Sequence, residues 1–144
     1  MQHVFVYGTL RVGESNDIRR AAERHGIAAP VLIGSGQVNG RLYDFDAYPG
    51  LVLDPAAGPV QGDIYLIDER LVPVLDEIEE IVPGVDGLFR SVRLPVSIQI
   101  DGRMHAIDCL VYPVSDDAVE GLPRIDGGDW VIYRRARQLL VQRR

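Results

Sequence analysis

Two groups of residues have types and spacings that could do chemistry. The first is Val6-Tyr7-Gly8-Thr9-Leu10-Arg11, where an apolar run breaks off at a glycine. A strand that stops at Gly8 leaves successive backbone N–H groups without ladder partners. Such a concavity holds a carboxylate or a developing oxyanion without needing a lysine. Gly13 and Asn16 keep the connection adaptable before a helix begins. The same residues would equally make an ordinary strand-to-helix turn. The second group is the acidic run Asp76, Glu77, Glu79 and Glu80. At about 100° per residue, Glu79 lies about 90° from the centre of the helix's apolar stripe, Glu77 slightly further, and Asp76 and Glu80 nearly opposite it. Glu79 is the acid best placed to reach a partly buried pocket. Desolvation there would raise its pKa and let it take and give a proton near neutrality. Four solvated acids on an open helix face are the ordinary alternative.

The remaining composition removes most other chemistry. All 15 basic residues are arginine, and the absence of lysine excludes Schiff-base catalysis, PLP attachment and a Walker-type phosphate lysine. Thr9 is the only threonine and there are five serines, so hydroxyl nucleophiles are scarce. His3, His25 and His105 lie far apart without metal-ligand spacing, and no metal site is expected. Cys109, the single cysteine, excludes an internal disulfide and a multi-cysteine zinc site and reads as a small core residue.

Charge and hydropathy bound the partners. The net charge of −6 makes the chain a poor polyanion binder, so nucleic acid is not an expected partner. Arg134, Arg135, Arg137, Arg143 and Arg144 form a basic tail, read as solvated or internally paired, with a nucleic-acid contact as the rival reading. No apolar run approaches the ~20 residues of a membrane helix. Met1 to Leu10 lacks the basic and apolar regions of a signal peptide, so no membrane partner is expected and the reducing cytoplasm is the default location.

The elements that position these residues follow from periodicity. Residues 3–7 read as a short strand, and Asn16-Asp17 as a cap for a helix with Ile18, Ala21 and Ala22 on its apolar side, stopped by Gly26. Residues 31–44 look extended, with Gly34, Gly36 and Gly40 marking bulges or close backbone approach. Tyr48-Pro49-Gly50 reads as a turn and residues 60–67 as another strand. Between Asp68 and Glu80 the period changes to about 3.6, with Leu71, Val74, Leu75 and Ile78 on one side and Pro73 fitting only the first turn. Residues 92–100 alternate as a half-buried strand in which Pro95 argues for an edge or a bulge, and Asp101-Gly102 turns them into residues 103–114. The tail after Gly128 suits either a short helix or a strand. Too few helices are present for a regular βαβ alternation. The expectation is one domain over residues 1–144, of α+β class, with a strongly bent mixed sheet or small β-barrel and helices packed against it.

In combination these pieces resemble the gamma-glutamylcyclotransferase-like, or AIG2-like, family. VFVYGTLRVGESN resembles its Tyr-Gly-Thr-Leu-Arg signature, with Gly13 and Asn16 in place. GRLYDFDAYPGLVL, VQGDIYLI, LDEIEE, FRSVRLPV and GGDW follow in the right order, so the resemblance covers nearly the whole chain. It implies a bent sheet or barrel with a cavity beside the Tyr-Gly-Thr-Leu loop, and it makes Glu79 the catalytic acid/base of the Leu-Asp-x-x-Glu motif. Phe89 stands before Arg90 where a tyrosine is common, which would remove a phenolic hydrogen bond, and Glu80 replaces the usual glycine.

The resemblance implies a reaction without metal, redox cofactor or enzymic nucleophile, on a small-molecule γ-glutamyl substrate. The substrate's α-amine attacks its own γ-carbonyl, closes 5-oxoproline and expels an amine. The amides of Gly8, Thr9 and Leu10 would hold the carboxylate or oxyanion, with Tyr7, Arg11 and Arg90 shaping the cavity's polarity or fixing Glu79. Two rivals use the same scaffold: a non-catalytic small-molecule-binding module, and an enzyme for a different amide.

Overall fold

The computed structural model describes residues 1–14, 17–80 and 91–142, excepting the side chains of 78–80 and 140–142. Among the described residues, seven strands and three helices run in the order β1 (Gln2–Val6), α1 (Ile18–Arg24), β2 (Val31–Asp44), β3 (Pro49–Leu53), β4 (Pro59–Ile67), α2 (Val72–Glu80), β5 (Val92–Ile100), β6 (Arg103–Val111), β7 (Arg124–Ile125) and α3 (Trp130–Gln142). Strands β2, β4, β1, β6 and β5 pair in that order, and β5 returns to β2 at Ser97 and Ile98 to close a five-stranded barrel. Among the described strands only β1 and β6 pair in parallel. The small mixed barrel expected from the sequence is the fold found.

Alternation along β1 divides the core. Phe5 and Tyr7 face the interior with Val38, Val60, Ile64, Val96, Ile98, Cys109 and Val111, and Trp130 at the start of α3 is fully buried among them. Val4 and Val6 face outward, where Ile18, Ala22, Leu71 and Leu75 of the helical segments cover them. Burial pushes the Cys109 thiol up to about 12, with Asp108 adding to the effect, which is the state of an inert core residue.

Close approach explains the glycines of β2. A Cβ on Gly36 would lie 2.7 Å from Ile64 Cδ1, and one on Gly40 would lie 2.5 Å from Leu51 Cδ1, while a register shift falls between Leu32 and Gly34. Pro95 sits where β5 pairs with β6 but not with β2, the edge position its residue type suggests. Pro49-Gly50, expected as a turn, instead opens β3. Proline is tolerated at a strand's first residue, and the bend lies just before it, where Asp46 has a φ of 79°. The tail is a helix of 13 residues, capped by Asp129, whose carboxylate accepts the N–H groups of Val131 and Ile132.

Asp17 caps α1 by accepting the Arg19 N–H, and it also accepts the Gly13 N–H at 2.8 Å. The Arg19 guanidinium, then these two amides, outweigh burial and hold its carboxyl at about 2, below an ordinary 3.8. A carboxyl depressed on folding contributes stability above its unfolded value, lost as pH falls through the folded one. The urea midpoint is therefore expected to fall between about pH 4 and pH 2. Asp17→Asn, which keeps the cap oxygen, should flatten that part of the profile, and an identical profile in the variant would refute the assignment.

Candidate active site

The loop after β1 is built by contacts on all sides. Buried Tyr7 donates its phenolic hydrogen to the Tyr112 carbonyl at 2.6 Å and accepts the Leu51 N–H at 3.3 Å. Gly8 has no room for a side chain, because a Cβ would lie 2.7 Å from both Cγ and Cδ of Pro49. The Arg11 N–H donates to the Gly8 carbonyl at 3.1 Å, and the Ile18 N–H to the Leu10 carbonyl at 3.0 Å, which ties the turn to α1. Thr9 is half-buried, and Leu10 packs into the outer core with Leu71 and Leu75. The amides of Gly8 and Leu10 have no backbone acceptor among the described residues.

The Arg11 side chain is committed within the protein. Its guanidinium contacts Asp63 at 3.4 Å and Asp129 at 3.1 Å, and Asp63 also accepts the Val12 N–H at 3.2 Å. One arginine thus links the loop to β4 and to the cap of α3. Next to it, Glu14 is buried and receives both ends of the Arg134 guanidinium, at 2.9 and 2.7 Å. Arg137 pairs with Asp44 at 3.0 Å. Two arginines of the basic tail are therefore internally paired, and Arg135 is exposed. Below the loop, burial pushes the Tyr65 phenol up to about 12, with the charge of Asp63 adding to it, and its hydroxyl has no hydrogen-bond partner among the described residues.

Helix α2 follows a short 3-10 turn over Glu69–Leu71 and has Pro73 in its first turn. Leu71 and Leu75 are fully buried and Val74 half-buried, as the stripe requires. Asp76 does not lie on the open face expected for it. It is half-buried and accepts the Tyr112 hydroxyl at 2.6 Å, whereas Glu77 is exposed. Glu79 lies in the last turn of α2, and its side chain falls outside the described residues, as do Asn16, Phe89 and Arg90. The structure links Tyr7 to α2 through Tyr112, packs Leu10 in the same cluster as Leu75 of α2, and turns the Arg11 guanidinium to Asp63 and Asp129. Sequence reasoning missed Tyr112, Asp63 and Asp129. Asp129 carried a signal, since it follows two glycines at the position of a helix cap.

A cleft of about 590 Å³ opens where β5 diverges from β2, lined by Gln37, Asn39, Leu53, Asp54, Leu94 and Ser97 among others. It shares no residue with the Tyr7–Arg11 loop and is a separate feature of the barrel wall.

The family model described as gamma-glutamyl cyclotransferase, AIG2-like, matches residues 4–132. The chain belongs to this family. A Vibrio cholerae relative bearing the family's name is 42% identical over 84 residues, covering 56% of this chain and 65% of its own. The gamma-glutamylaminecyclotransferase of Mus musculus is 34% identical over 92 residues, covering 56% of each chain. The chain thus spans between half and two thirds of the length of these relatives. The crystal structure of an AIG2-like protein from Mus musculus superposes with a TM-score of 0.67 at 24% identity, over 88% of this chain and 86% of that one. At that identity the likeness concerns the fold, and it agrees with the barrel described above.

Proposed function

We propose that the protein is a γ-glutamyl cyclotransferase that releases 5-oxoproline and a free amine from a small γ-glutamyl amine or amide. The observation that carries this reading is the family match over residues 4–132, which includes both the Tyr7–Arg11 loop and α2. In the proposed step the substrate's α-nitrogen forms a bond to its own γ-carbon, and the bond from that carbon to the leaving nitrogen breaks. Glu79 takes the two protons that the α-ammonium loses, one before attack and one from the adduct, and returns them in turn to the leaving nitrogen, which departs as the ammonium. The loop amides of Gly8, Thr9 and Leu10 hold the substrate carboxylate or the oxyanion at the γ-carbon. Holding the chain folded back on itself supplies effective molarity, so the remaining task is proton transfer. Tyr7 orders the loop rather than the reaction, since its hydroxyl already bridges Leu51 and Tyr112. Arg11 acts in the same way through Asp63 and Asp129, and Arg90 stands as a candidate for cavity polarity. No cofactor enters this scheme, and a cytoplasmic location suits a small-molecule substrate.

The test is 5-oxoproline release from a panel of γ-glutamyl amino acids, γ-glutamyl-ε-lysine and γ-glutamyl alkylamines. The name of the mouse relative makes the γ-glutamylamines the first arm of the panel. Release from at least one member supports the reading and identifies the leaving group. Folded protein silent across the panel would overturn it in favour of a binding role or another amide.

A further inference from the structure

Tyr112 touches both halves of the candidate site. Its backbone carbonyl receives the Tyr7 hydroxyl at 2.6 Å, and its own hydroxyl donates to Asp76 at 2.6 Å. The ring between these two groups is buried in the outer core with Leu10, Leu71 and Leu75. One residue therefore spans from the base of the loop to the outer side of α2. Resting on the reading above, we propose that Asp76, held by Tyr112, is a positioning residue that fixes the rotation of α2 and so sets Glu79 against the Tyr7–Leu10 loop.

The argument is mechanical. Helix α2 has nine residues, too few to be stable alone, and its placement depends on tertiary contacts. Among its described side chains Leu75 is fully buried, and Leu71, one residue before the helix, lies on the same line. Apolar contact is nondirectional and lets a helix roll about that line. A hydroxyl-to-carboxylate bond is short and directional, and it fixes the roll. Asp76 precedes Glu79 by three residues, about 4.5 Å along the axis, so a roll at Asp76 is carried to Glu79. Glu77, the next residue, is exposed.

Tyr112→Phe removes only the hydroxyl, keeping the ring and the carbonyl that receives Tyr7. It is expected to lower kcat about tenfold or more while KM changes less than about threefold, because geometry at the reacting atoms is lost and substrate binding is kept. Asp76→Ala should do the same, and the double variant should be no worse than either single one. Asp76→Asn retains an acceptor oxygen and should stay within about threefold of wild type. Amide hydrogen exchange reads the strut without turnover. The α2 amides should exchange about tenfold faster in Tyr112→Phe, with barrel amides unchanged. Wild-type kcat in Tyr112→Phe, or unchanged α2 exchange, would overturn the proposal. Were the wild type silent on every substrate, the proposed activity would fall while the exchange rates still decided the strut.

Discussion

Glu79→Gln is expected to abolish 5-oxoproline release in protein that folds normally. Glutamine keeps the size of the side chain and one carbonyl oxygen but can neither accept the α-ammonium proton nor deliver one to the leaving nitrogen. General acid–base catalysis contributes on the order of 10²- to 10⁴-fold, and here a single group serves both steps, so the loss should lie at the upper end of that range. The effect belongs in kcat, with substrate affinity nearly unchanged. Glu77, on the same helix and exposed, supplies the control, and Glu77→Gln should keep near-wild-type turnover. Circular dichroism and the melting temperature of Glu79→Gln should match wild type. Near-normal turnover in Glu79→Gln, on any substrate the wild type accepts, would refute the role.

Arg134→Ala is expected to have the largest effect on stability. Glu14 is buried and receives two hydrogen bonds from Arg134, so truncation leaves a carboxylate without its counter-charge. Removing one partner of a buried pair costs about 3–5 kcal/mol, and here the figure should sit at the lower end because Arg134 is partly exposed. For a chain of this length that is a drop on the order of 10 °C in melting temperature. Replacing both partners by methionine should cost far less, because no charge is then left buried. A double variant as unstable as Arg134→Ala would show that packing of the arginine stem, and not the charge, carries the effect.

Much of this fold was legible where one local rule decides. The Asp17 cap, the Ile18, Ala21 and Ala22 face, and the stop at Gly26 all follow from neighbours within one turn, and α1 has these limits. The Asp101-Gly102 hairpin, with φ of 51° and 78°, is equally local. Pro49-Gly50 misled because turn composition is also tolerated where a strand begins, and what sets β3 there is Gly50 packing under Phe45 and β2 pairing through Leu42 and Leu51. The tail was undecided because what makes it a helix lies far away: Arg134 and Arg137 meet Glu14 and Asp44, and Trp130 enters the barrel.

The candidate site divides in the same way. The Tyr7–Arg11 loop announced itself through Gly8, whose need for close approach to Pro49 is written in its residue type. Asp76 was misplaced because a helical wheel knows the stripe of its own helix and nothing of the strand end beside it. The Tyr112 hydroxyl reaches the side of α2 that the wheel assigns to water.

The loop's attachments also set an order of assembly. Arg11 is held by Asp129, 118 residues later, and Glu14 by Arg134, 120 residues later. Contacts of such sequence separation form late, since the chain between them must be closed first. During synthesis β1 emerges early, but the loop's ion pairs to Asp129 and Arg134 cannot form until α3 has been made. The loop should therefore complete its attachments among the last contacts of folding.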